Sequence, residues 1–386
     1  MTRRRIAILT GCRSDYGLLR PFILRVAQEP EAEMILYAAA GHLSPSRGMT
    51  VEEIRRDGFE PVTLAPVAED DDSPAGMAEL ASRVTGELAR LWRRDRPDWL
   101  VVLGDRVEVL GAAVAAWYCR IPLAQFHAGD VSLVDDGPRH AVSRLAHLLF
   151  PATRSAAQRL LGWGEETWRV QLVGSLAADR ALSSPPLGPG ELRALGERVG
   201  LDPTDDFLVL LYHPLPGEPE KTARGLAACL EALDAVSLPT LVLHPNADAG
   251  GRRIVEELER WVGRKPRRAL RVSLAPESFT EILRRTRAIV GNSSAGLIEC
   301  SVLGTPAVNV GPRQRGRERG ANVLDADADF GEVREALGKI LAEAGIRERL
   351  LGQPSPYGDG GAAQRALAKL LETPTDETLL DKTLSL

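Results

Sequence analysis

Short apolar runs without polar alternation recur along the chain, at 5–10, 34–40, 99–103, 122–126, 148–150 and 170–173, then at 207–212, 240–243, 269–274, 288–290 and 307–310. Nearly all are closed by Gly, Pro or His. A strand that is apolar on both faces is one covered on both faces, as in a parallel sheet flanked by helices. Between the runs lie stretches with helical periodicity, among them 17–28, 77–94, 107–118, 141–149, 217–236 and 251–262. Strand and helix in alternation predict βαβ units and an α/β fold. The densest cluster of breakers, Ser183-Ser184-Pro185-Pro186-Leu187-Gly188-Pro189-Gly190, divides this rhythm into two halves. The expected architecture is therefore two Rossmann-like domains around a cleft, 1–182 and 183–370. The tail 371–386 is either frayed or a helix returning to the first domain.

Composition narrows the function classes. With 44% apolar and 26% charged residues among 386, the chain is ordinarily globular. A net charge of -5 gives no reason to expect nucleic acid as a partner. No apolar run is long enough to span a bilayer, and the start leads into one short run ending at Gly11, unlike a secretory leader. Cys12, Cys119, Cys229 and Cys300 lie far apart with no CxxC pair, which suggests neither a zinc site nor a disulfide framework. A cytoplasmic protein without a membrane partner is expected.

Ligands of open parallel sheets bind at the carboxyl ends of strands, so the residues just after each run are the ones to read. Thr10-Gly11-Cys12-Arg13-Ser14-Asp15-Tyr16-Gly17 is a glycine-bounded turn opening a helix, either an anion site with Arg13 as its fixed charge or an ordinary loop. In Gly104-Asp105-Arg106, Asp105 is either a favourable helix-start carboxylate or an acid or base facing the cleft. His127-Ala128-Gly129-Asp130 is followed by Asp135-Asp136-Gly137-Pro138-Arg139-His140. Clustered carboxylates raise one another's pKa, a route to an acid or base near neutrality; metal-ligand spacing is lacking. Tyr212-His213-Pro214 and His244-Pro245-Asn246 also end strands. Finally, Gly291-Asn292-Ser293-Ser294-Ala295-Gly296 runs on to Glu299, Gly304-Thr305-Pro306 and Arg313. Two hydroxyls and free amides at a predicted helix start suit a diphosphate, and Glu299, about two turns in, suits a ribose diol.

Together these segments resemble the UDP-N-acetylglucosamine 2-epimerase family, especially its hydrolysing branch, over residues 5 to 325. The motifs are Gly11-Cys12-Arg13-Ser14-Asp15-Tyr16, Gly41-His42-Leu43-Ser44-Pro45, Gly104-Asp105-Arg106, His127-Ala128-Gly129-Asp130, Asp135-Asp136 before Arg139-His140-Ala141, and Gly291 to Gln314. The resemblance implies a glycosyltransferase-B type fold with the site in the interdomain cleft. It places UDP on the second domain, with Ser293 and Ser294 on the phosphates, Glu299 on the ribose, and His213, Asn246 and Arg313 nearby. Arg13 would reach across from the first domain. His42, Arg106, His127 and Arg139 would contact substrate. The catalytic set would be Asp105, Asp130, Asp135, Asp136 and His213. A homodimer acting on a UDP-amino-sugar without metal or redox cofactor is implied.

The chain departs from the family pattern at the sugar end. Asp130 stands where Glu is usual, Ala128 where Gly is usual, and Gly137-Pro138 where a Ser-plus-apolar pair is usual. The loop from His127 to the acidic pair is also one residue short. The sugar is thus either N-acetylglucosamine or a 2,4-diacetamido relative from nonulosonic acid synthesis. The alternatives are a non-hydrolysing epimerase, against which His127 argues because that branch usually carries Glu there, a glycosyltransferase on the same fold, and an inactive sugar-nucleotide sensor.

Overall fold

The computed structural model describes residues 3–46, 48–65, 73–131, 136–215, 217–245 and 250–383, with the side chains of Pro74 and Asp136 left out. Two compact units emerge from its contacts. The first comprises the described residues up to Arg180 and those from Gly360 onward; the second is Ala181–Asp359.

In the first unit β1 (Arg4–Thr10), β2 (Ala32–Ala39), β3 (Val62–Leu64), β4 (Trp99–Leu103), β5 (Leu123–Phe126) and β6 (Leu148–Phe150) form a parallel sheet in the order β3-β2-β1-β4-β5-β6. Successive β1 residues serve opposite faces. Ile6 and Ile8 join one core with Phe22, Trp99 and Phe126, while Ala7 and Leu9 join another with Leu88, Ala112 and Leu100. That two-sided burial is why the run shows no alternation. Chain order runs outward from β1 to β3, then restarts at β4 on the other side, so the switch point lies between β1 and β4.

The second unit repeats this plan with β7 (Leu208–Leu211), β8 (Thr240–Leu243), β9 (Arg268–Arg271), β10 (Ala288–Gly291), β11 (Ala307–Val310) and β12 (Val323–Ala326), in the order β12-β11-β10-β7-β8-β9. All its pairs are parallel, and its switch point lies between β7 and β10. No helix among the described residues is long and apolar enough to cross a membrane.

Several boundaries differ from expectation. The return to the first unit begins at Gly360, not at 371, because Ala362, Ala363, Ala366, Leu367 and Leu370 of the helix Ala362–Glu372 are buried in the same core as Trp99. The expected linker at 183–190 is the short passage between the helices Leu176–Ser183 and Pro189–Val199, and the second unit has already begun at Ala181. The run at 170–173 makes only an isolated bridge, Leu149 with Val170, and its Leu172 is exposed. Strands β3 and β12, unlike the buried edge strand β6, carry no long apolar run because they are partly exposed as well as short.

Candidate active site

The carboxyl ends of β2, β1, β4 and β5 stand side by side, so the turns following them share one edge of the first sheet. After β4 the chain reverses at Gly104, which is left-handed (φ 73°), and presents Asp105. Arg139, on the helix Asp136–Leu145, donates a hydrogen bond to the Asp105 carboxylate, and both side chains are largely buried. The pair is held from behind by Gln125 on β5. Its Nε2 donates to the Gly104 carbonyl at 2.8 Å and the Arg139 carbonyl at 3.3 Å, while Ser143 Oγ donates to its Oε1 at 2.7 Å. Gln125 is not among the residues expected from the sequence. A lone amide inside the apolar strand Leu-Ala-Gln-Phe was its available signal.

Arg106 turns toward the first strand. Its Nε lies 2.6 Å from Glu108 and 3.4 Å from Asp15. Burial opposes the Arg106 charge, but Glu108, Cys12 and Asp15 outweigh it and raise its pKa above the ordinary value. Burial likewise pushes the Asp15 carboxyl up to about 7, opposed by Arg106 and reinforced by Glu108. Neither acid was among the expected site residues. Arg13, in the first turn of the helix Arg13–Ala27, is half exposed and pairs with Glu53 at 3.0 Å.

His42 requires a correction. Expected to contact substrate, it is fully buried, and its two ring nitrogens lie 2.9 Å from Thr10 Oγ1 and 2.9 Å from Thr50 Oγ1. Burial and then Arg106 lower its pKa to about 4, so the ring is neutral and braces the ends of β1 and β2.

After β5, His127 adopts a left-handed conformation (φ 59°) that is uncommon outside glycine. Its amide donates to the Phe150 carbonyl at 3.0 Å, and its Nδ1 lies 3.8 Å from Asp130 Oδ2. Gly129 is also left-handed, and a Cβ there would meet the Ala156 carbonyl at 2.6 Å, so the turn pressed against that helix admits no larger residue. Asp130 thereby sits on the turn after β5, the strand next to the one that Asp105 follows. Asp135 lies outside the described residues, as does the side chain of Asp136.

In the second unit the switch point gathers His213, Ser293 and Arg313 around one residue, Asn292. Asn292 Oδ1 accepts from the His213 amide at 2.7 Å and its Nδ2 donates to the His213 carbonyl at 2.9 Å. Its own carbonyl accepts from Arg313 Nη1 at 3.3 Å and Gln314 Nε2 at 2.8 Å. Asn246 lies outside the described residues.

Two expectations change here. Ser293 and Ser294 do not open a long helix. Ser293 caps a three-residue 3-10 turn, Ser294–Gly296, and Glu299 then begins a separate four-residue helix. At the break, the Gly296 carbonyl accepts from Asn322 Nδ2 at 2.9 Å. The Gly304-Thr305-Pro306 turn precedes β11 and so sits at the amino edge of the sheet, away from His213 and Ser293. There Thr305 donates to the Leu283 carbonyl at 2.7 Å and accepts from Arg347 at 2.9 Å, a structural role.

Comparison with known proteins identifies the family and agrees with the fold. The profile of the UDP-N-acetylglucosamine 2-epimerase family matches residues 24–371. The chain is 31% identical over 380 residues, 98% of each chain, to the hydrolyzing UDP-N,N'-diacetylbacillosamine 2-epimerase of Legionella pneumophila. It is 30% identical over 352 residues to a UDP-N-acetylglucosamine 2-epimerase of Neisseria meningitidis, covering 88% of this chain and 90% of that one. The crystal structure of the Methanocaldococcus jannaschii UDP-GlcNAc 2-epimerase with UDP-GlcNAc and UDP shares the fold, with a TM-score of 0.75 at 17% identity over 95% of this chain and 99% of that one. The chain belongs to the UDP-N-acetylglucosamine 2-epimerase family.

Proposed function

We propose that the chain is a hydrolysing 2-epimerase of a UDP-activated 2-acetamido sugar, releasing UDP and the free 2-epimer. The observation that carries this reading is the similarity to the Legionella enzyme, named as hydrolyzing, across 98% of both chains. Support for the site comes from the Asp105–Arg139 pair and Asp130 on one sheet edge, and from the Asn292-centred cluster on the other sheet. Ser293 and Ser294 take the phosphates and Glu299 the ribose, with His213, Asn246 and Arg313 nearby.

The C2 proton of the sugar has no neighbouring carbonyl to acidify it. Departure of UDP supplies that acidity. As the C1–O bond breaks, UDP leaves with the bonding pair, and Asp105 takes the C2 proton while the C–H pair becomes a C1=C2 double bond. The product of this anti elimination is a 2-acetamidoglucal. Water then adds through oxygen at C1, giving up one proton, while C2 accepts a proton on the opposite face from the Asp130, Asp135 and Asp136 group. His127 orients Asp130, and Arg139 aims Asp105.

Of the two sugars, the 2,4-diacetamido substrate is favoured, since Ala128, Asp130 and Gly137-Pro138 all depart from the family pattern where the sugar lies. The chain then acts as a cytoplasmic homodimer supplying nonulosonic acid synthesis. Proton NMR in deuterated water with UDP-N-acetylglucosamine and UDP-N,N'-diacetylbacillosamine in parallel tests this. Free UDP and a 2-epimer deuterated at C2 are expected. Deuterium at C2 with UDP still attached would establish the non-hydrolysing reaction instead, and inertness toward both sugars would overturn the reading.

A further inference from the structure

Glu108 is fully buried at the start of the helix Val107–Tyr118. A carboxylate in a first helical turn ordinarily sits in water near the free amides. Here one oxygen, Oε1, is 2.6 Å from Arg106 Nε, while Oε2 makes no hydrogen bond with the described residues. Burying an acid with an oxygen unsatisfied is unfavourable for stability, and an apolar side chain of similar size would serve packing better.

The chain also accommodates this acid at a second position. A Cβ at Gly11 would lie 1.6 Å from Glu108 Oε1 and 2.4 Å from its Cδ. No positive φ accounts for this glycine, so the space it leaves is what matters. Glu108 thus bears on the backbone of the turn after β1 while gripping the guanidinium of the turn after β4. Asp15 lies 3.4 Å from the same Nε, so two carboxylates share one cation. The other charged or titratable neighbours are Cys12 beside Asp15 and the neutral His42 beside Arg106.

We infer that Glu108 is a positioning residue of the reaction: seated on Gly11 and holding Arg106, it locks the turn that carries Arg13 to the turn that carries Asp105. It touches no substrate. The inference rests on the proposed hydrolysing epimerase reading and adds to it the element that keeps anion-binding and acid–base groups in register. Displacing such groups by about 1 Å costs on the order of 100-fold in rate.

The test is steady-state UDP-sugar hydrolysis across pH 5.5 to 9 by Glu108→Gln, Glu108→Asp, Glu108→Ala, Gly11→Ala and the Gly11→Ala/Glu108→Ala double variant. Glu108→Gln keeps size and drops charge, and kcat/KM is expected to fall about 100-fold. Asp15 holds Arg106 only when ionised, so its titration sets an acid limb of kcat/KM. Burial chiefly, and Glu108 with it, raises the pKa of that carboxyl, so neutralising Glu108 moves the limb to lower pH, and Glu108→Asp, which keeps the charge, restores it. Gly11→Ala is expected to be as damaging as Glu108→Gln in the wild-type background and nearly silent beside Glu108→Ala, since the colliding group is gone. Additive losses in the double variant, or a Glu108→Gln enzyme with wild-type kcat/KM and an unmoved profile, would overturn the inference. A wild type inert toward UDP-sugars would overturn the functional reading instead, and the same double-variant cycle read by UDP affinity then decides the Glu108 role.

Discussion

A glutamine in the middle of a strand covered on both faces carries two polar ends that must find partners. Gln125 finds them in the Gly104 and Arg139 carbonyls and the Ser143 hydroxyl. The groups it joins bracket Asp105, so the acid is aimed by a neighbour that itself never reaches solvent. If Asp105 removes the C2 proton, Asp105→Asn stops the first step, and 2-acetamidoglucal should fall together with turnover by at least about 1000-fold, as is typical when an essential acid–base group is lost. Quenched single-turnover mixtures analysed for glucal and UDP check this; glucal accumulating in the variant would move Asp105 to the hydration step. At this scale the sequence reveals residues that follow strands, because position alone marks Asp105, Asp130, His213 and Ser293. Asp15, Glu108, Gln125 and Asn292 acquire their roles from partners on other strands, which periodicity does not show. His42 illustrates the opposite error: a motif histidine whose two nitrogens are already taken by Thr10 and Thr50.

Between β10 and the turn after it, space is the deciding quantity. A Cβ on Gly291 would lie 2.1 Å from the Leu211 carbonyl, so only glycine lets β10 end beside β7 with Asn292 aimed at His213. Asn292→Ala removes both hydrogen bonds to the His213 backbone and leaves a part-buried amide and carbonyl without their partner. A stability loss of about 1–3 kcal/mol follows from such unsatisfied groups. If His213 and Arg313 serve the nucleotide, UDP binding should weaken about tenfold, or ~1.4 kcal/mol. Urea denaturation and UDP titration on the same sample read both, and unchanged UDP affinity would detach Asn292 from the nucleotide site. The interior strands were legible because their apolar runs are unbroken. The Ser293–Glu299 segment was not, because at its break the Gly296 carbonyl is bound by Asn322, more than twenty residues further along the chain.

For the whole molecule, the main departure from the sequence-based expectation is where the chain goes back. The segment after Thr373 is polar in sequence, yet Arg169 donates to the Leu379 carbonyl at 2.8 Å, and Lys382 Nζ donates to the carbonyls of Ser143, Arg144 and Ala146 within 3.1 Å. Those three carbonyls close the helix that carries Arg139, so the tail caps it. Burial lowers the Lys382 pKa to about 8, although Glu165 at 2.7 Å opposes that. Removal of residues 374–386 should therefore cost about 2 kcal/mol and lower the Tm of the first unit, about 200 residues, by about 4–8 °C at ~2–4 °C per kcal/mol. Turnover should fall further than UDP affinity, since the proposed nucleotide contacts lie mostly in 181–359. Scanning calorimetry and UDP titration of the truncated chain test this; an unshifted Tm would show that the tail caps nothing of consequence.

Doubling back also imposes an order in time. Among the described residues the second unit is a single span of the chain, whereas the core around Trp99 is completed only by Ala362, Leu367, Leu370 and Leu379. At ~5–20 residues per second on the ribosome, the intervening 181–359 takes roughly 10 to 35 s to appear. For that interval the half made first waits with an unfilled core, and the half made second is the first able to finish folding.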